Sequence, residues 1–123
     1  MSETSENLSW TLLIGPYSVR RVRHWDLVAR VVGDCGPMRT APLPRVPGLR
    51  MLCDASDADN LREPVNELGR LVLEAFGHPY SAEIRGHIGI YLADAEGVPV
   101  DLPEPLRERI EAEVRRAREA VRS

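Results

Sequence analysis

Arg85, His87 and Tyr91 fall on one face of the segment AEIRGHIGIYLAD (82–94), if that segment is a strand. A guanidinium, an imidazole and a phenol on one surface can bind an anion or move a proton, provided the surface lines a cleft. On an open sheet face the same three side chains are ordinary solvated polar groups. They are the candidate ligand-binding residues of this chain, and no catalytic residue is assigned.

Other reactive side chains are less organised. Cys35, Cys53, His78 and His87 are the available soft or borderline metal ligands. Zinc sites usually draw on closely spaced ligand pairs, and no such pair occurs here, so no metal site and no cofactor are expected. Cys35 sits in Gly33-Asp34-Cys35-Gly36-Pro37, where the neighbouring carboxylate would raise the thiol pKa and weaken it as a nucleophile. Asp54, Asp57 and Asp59 lack the glycine and glutamate of a calcium loop and read as a helix entry, where acidic residues are favoured. No glycine-rich phosphate loop, nucleophile elbow or paired-histidine metal motif is present.

Charge is distributed unevenly. Residues 1–53 and 106–123 carry a surplus of arginine, while 54–105 are strongly acidic, and the whole chain has a net charge of −3. Segregated charge steers association with a partner of opposite sign, or of one copy with another. Arg20, Arg21 and Arg23 form the densest basic cluster. Nucleic-acid binders are usually basic throughout, and a pI near 5.6 places such binding behind protein binding. All sixteen basic residues are arginine, with no lysine or glutamine, as expected of a high-GC bacterial or phage genome.

The elements that must position these groups follow from periodicity. LSWTLLI (8–14) alternates as a strand, with Trp10, Leu12 and Ile14 on one face, and Gly15-Pro16 ends it. Residues 17–32 carry both strand-like and helix-like patterns; their β-branched content favours strands. Residues 33–48, rich in proline and glycine, read as a long loop or extended edge, and 49–53 as a short buried strand. Leu61, Val65, Leu68, Val72 and Phe76 predict a helix over 60–76, capped by Asn60 and stopped by Gly77. Strand 82–94 and a proline-marked edge at 98–100 come next. A final helix over 103–122 bears the stripe Leu106, Ile110, Val114, Ala117 and Val121.

The expected fold is α+β in one domain: a small mixed or antiparallel sheet of four to six strands with two main helices packed on it. The polar opening MSETSEN and short apolar runs predict neither a signal peptide nor a membrane span, hence a cytoplasmic protein. With 43% hydrophobic residues, the core needs no metal or disulfide staple. The function this supports best is a non-enzymatic interaction or regulatory protein that binds another protein and forms homodimers. Its contact residues would be Arg20, Arg21, Arg23, Leu106, Ile110, Val114 and Val121. The alternatives are a ligand-binding or enzymatic pocket near His87 and the 33–48 loop, and nucleic-acid binding through the arginines.

Overall fold

Leu12, Leu13 and Ile14 are all buried, although neighbours on a strand point to opposite faces. The sheet that holds them is therefore covered on both sides. In the computed structural model, which describes residues 8–32, 38–54, 64–78 and 84–122, these residues belong to β1 (Trp10–Ile14). The chain continues through β2 (Val19–Arg23), α1 (His24–Val32), β3 (Met38–Pro42) and β4 (Leu49–Asp54). It then runs through α2 (Glu67–Ala75), β5 (Ile88–Ala93), β6 (Pro99–Val100) and α3 (Glu104–Arg122).

All strand pairs are antiparallel, in the order β2-β1-β5-β4-β3, with β6 added to β5. The class is the α+β arrangement read from the sequence, and the two helices expected from it share one face. There Leu12, Ile14, Met51, Ile88 and Ile90 pack against Leu68, Val72 and Phe76 from the α2 region and Ile110 and Val114 from α3. On the opposite face, Leu13, Leu52, Tyr91 and Ala93 receive Leu27 and Val31 of α1.

Helix α1 is the main departure from expectation. Residues 17–32 divide into a five-residue strand and a nine-residue helix instead of forming strands throughout. The switch follows the last rung with β1, where the His24 N–H donates to the Ser9 carbonyl at 2.8 Å. Beyond it, Leu27 and Val31 are one helical turn apart and both buried, with Val28 and Val32 flanking them. Trp25 and Ala29, on the other side of the helix, are exposed. Asp26 and Arg30 add an i,i+4 ion pair with the acid first, at 3.0 Å.

Gly89 is what lets α1 approach. A Cβ there would lie 2.7 Å from two carbons of Leu27, closer than real carbon atoms pack. The face of 82–94 that alternation leaves polar is thus, at Gly89, Tyr91 and Ala93, the footprint of a helix.

Two further boundaries differ. Part of the expected 33–48 loop is β3, an edge strand whose Pro42 comes last; residues 33–37 lie outside the described residues. Helix α2 begins at Glu67 rather than near Asn60, while Val65 forms a bridge with Arg85. Asn66 is the N-cap: its side-chain carbonyl accepts from the Gly69 N–H at 2.8 Å. Asn60 and the acidic positions Asp57 and Asp59 are outside the described residues. The stop at Gly77 is as expected. Gly77 has φ +94°, and the Gly77 and His78 N–H groups close onto the Glu74 and Leu73 carbonyls, each at 3.0 Å.

Candidate functional site

The structure separates the candidate trio. Tyr91 is buried beneath α1, its ring edge-on to His24 with centroids 5.0 Å apart. His87 is exposed and lies beside Gly15, where an added Cβ would be 3.0 Å from Nε2. Arg85 is half-buried in the bridge to Val65. Three side chains on one nominal face therefore have three different environments, because α1 covers only part of that face.

The expected apolar interaction stripe also changes character. Ile110 and Val114 are inside the core and unavailable to a partner, because α3 uses that stripe to cover its own sheet. Leu106 is half-buried against the same core. Val121, in the last turn, remains 46% exposed.

Val121 opens onto a groove. A cavity of about 290 Å³ lies between the β1–β2 turn, the first turn of α2 and the end of α3. Its lining is Pro16, Tyr17, Leu68, Arg118, Val121 and Arg122. Tyr17 stands 84% exposed at the turn, whereas Leu68 is buried and forms part of the lining. Arg118 and Arg122 make no ion pair among the described residues. Elsewhere on α3, Arg107 pairs with Glu111 and Arg116 with Glu113, each at 3.0 Å. Of this lining, only Val121 was among the contact residues expected from sequence. An aromatic residue directly after Gly15-Pro16 was the remaining legible signal, since a turn tip rarely buries its side chain.

Asn66 holds the walls in place. Its buried amide donates to the Ile14 carbonyl at 3.0 Å and to the Gly86 carbonyl at 2.7 Å. Its backbone N–H donates to the Ile84 carbonyl at 2.7 Å. One side chain thus ties the end of β1, the approach to β5 and the start of α2 together, next to Leu68 in the groove. The glycine at position 69 makes room for it, since a Cβ there would meet the Asn66 amide at 2.9 Å.

The arginine cluster has a defined form too. Arg21 and Arg23 flank Trp10 of β1, with guanidinium carbons 4.1 and 3.7 Å from its ring centroid. These cation–π contacts fix the two side chains on the α2/α3 face of the sheet. Arg20, paired in register with Leu13, belongs to the opposite face. The start of β1 is tied to the chain entering α3: the Trp10 N–H donates to Asp101 Oδ1 at 2.7 Å, and the Leu102 N–H to the Trp10 carbonyl at 3.2 Å.

Burial displaces the titration of two groups among the described residues. Burial lowers the His24 pKa, and its Nδ1 is a buried atom with no hydrogen-bond partner. Burial raises the Cys53 thiol, against a smaller opposing effect of Arg39. Cys53 is a free thiol, and Cys35 is outside the described residues. Among the described residues, no group of three or more His, Cys, Asp or Glu side chains is placed to hold a metal ion. No described helix is long and apolar enough to cross a membrane. No protein-family model, curated protein or solved structure matches the chain.

Proposed function

We propose that this chain is a protein-interaction module that docks a partner through the Tyr17–Val121 groove. The observation that carries the reading is the pairing of exposed apolar walls with two arginines that have no counter-charge among the described residues. An exposed tyrosine, a valine and a half-open cavity favour an apolar anchor side chain. The guanidinium groups of Arg118 and Arg122 favour a carboxylate beside that anchor. About 290 Å³ is at the foot of the range for small-molecule pockets, roughly 300–1,000 Å³, and suits one or two side chains. The occupant is therefore a segment of a partner protein with an aliphatic or aromatic residue next to Asp or Glu.

Selection from a displayed random peptide library tests this. Enriched sequences should carry an apolar residue adjacent to an acid, and Val121→Glu should abolish their binding. Arg118→Glu with Arg122→Glu should shift selection toward basic neighbours. Enrichment without acids, or binding indifferent to all three substitutions, would sink the proposal. Light scattering at low and high salt checks self-association: a salt-sensitive dimer abolished by Val121→Glu would make the partner a second copy. Oligonucleotide binding lost in the arginine variants would move the function to nucleic acid.

A further inference from the structure

β2 and β3 bound the sheet, and their outer edges differ in what they can bond. The His24 N–H donates to the Ser9 carbonyl and the Gly15 N–H to the Ser18 carbonyl, each at 2.8 Å. With the β1–β2 register, these bonds set which residues of β2 face inward: positions 20 and 22 bond to β1. Val19 and Arg21 consequently turn their N–H and C=O groups outward, and Arg23 its N–H. Among the described residues, nothing pairs with them. On β3 the Leu43 N–H donates to the Leu49 carbonyl, so Met38, Thr40 and Pro42 face outward, and Pro42 has no N–H to offer.

We propose that the outer edge of β2 accepts an extended acidic segment of a partner protein as an added strand. The proposal rests on the protein-binding reading above but uses a separate surface. Backbone pairing would give affinity and the arginines would give selectivity. Arg21 and Arg23 stand on one face, steadied by Trp10, and Arg20 on the other. None of the three makes an ion pair among the described residues. An added strand thus meets unneutralised positive charge on both of its faces.

The same arrangement argues against a second copy in this place. The antiparallel register of β2 on itself that uses all the outward groups sets Arg21 opposite Arg21. Like charges directly across a strand pair are destabilising. Arginines on an edge are a recognised guard against self-pairing, and the guard does not act against an acidic strand.

The test uses the whole chain and a synthetic peptide of roughly eight residues alternating Glu with Val or Thr. A lysine-for-glutamate version and a version N-methylated on the edge that pairs serve as controls. Hydrogen exchange followed by NMR should show the Arg21 amide slowed by the acidic peptide, with the inward-bonded Arg20 and Val22 amides little changed. N-methylation should weaken binding about tenfold or more, the equivalent of one or more lost hydrogen bonds. Arg21→Glu should weaken the acidic peptide and favour the lysine peptide. An unprotected Arg21 amide at millimolar peptide, or equal binding of the N-methylated peptide, overturns the proposal. Val121→Glu separates the two surfaces. Protection of Arg21 that persists in this variant supports the edge independently of the groove. Peptide binding lost in Val121→Glu but kept in Arg21→Glu assigns the contact to the groove and refutes the edge.

Discussion

Replacing Asn66 by alanine removes three buried hydrogen bonds from one point and leaves their partners where water cannot reach. The Asn66 side chain caps α2 through Gly69 and holds the Ile14 and Gly86 carbonyls, and the residue is fully buried. Loss of an N-cap costs about 1 kcal/mol. Each buried carbonyl left without its donor adds about 1–3 kcal/mol. The expected loss is therefore about 3–7 kcal/mol, a large part of the ~5–15 kcal/mol by which a domain is stable. Asn66→Ser keeps a capping oxygen but no amide, and should recover about 1 kcal/mol of that loss. Asn66→Asp keeps the cap while turning an acceptor toward two carbonyls. It should be at least as damaging as alanine, despite the helix dipole's preference for an acid at this end. Urea unfolding followed by tryptophan fluorescence and circular dichroism measures the series. With a slope near 2 kcal/mol per molar, the alanine midpoint should fall by roughly 1.5–3.5 M. If Asn66→Asp were as stable as the parent, the amide would not be a donor to these carbonyls and the argument would fail.

Two other outcomes are expected. Gly89→Ala should destabilise by about 1–3 kcal/mol through its collision with Leu27, and the double variant with Leu27→Ala should lose less than the sum of the two; strict additivity would mean that α1 does not rest on Gly89. His24 has a folded pKa below its unfolded value of 6.5, so the unfolded chain takes up the proton first as pH falls. Its contribution to stability is complete above that value and is lost progressively below it, until the lowered folded pKa is reached. Denaturation midpoints between pH 7.5 and 5 should therefore fall more steeply for the parent than for His24→Phe, which keeps a ring against Tyr91; equal slopes would count against a buried neutral imidazole.

Local patterns were enough for the elements whose signals lie within one turn or one strand. Helix α3, strands β1 and β5, and the Gly77 stop all have signals set by neighbours a few residues away, and all are found in the structure. The start of α2 was not legible, because Asn60 and Asn66 are equally good caps by residue type. What selects Asn66 is a pair of carbonyls distant in the chain, those of Ile14 and Gly86. In β1, Leu12-Leu13-Ile14 was a readable sign that both sheet faces are covered, but the identity of the covering helix was not local information.

The candidate site divides in the same way. Composition and charge order determined that the chain is apolar enough for an ordinary core and carries segregated charge, with arginines clustered at 20, 21 and 23. Only the tertiary structure decided that Tyr91 is buried while His87 is exposed, since α1 crosses the sheet over Gly89. Only it brought Tyr17 to Val121 and left Arg118 and Arg122 without an ion pair among the described residues, because the groove joins three segments distant in sequence. Periodicity records which face of an element is apolar; what that face meets depends on contacts between elements far apart along the chain.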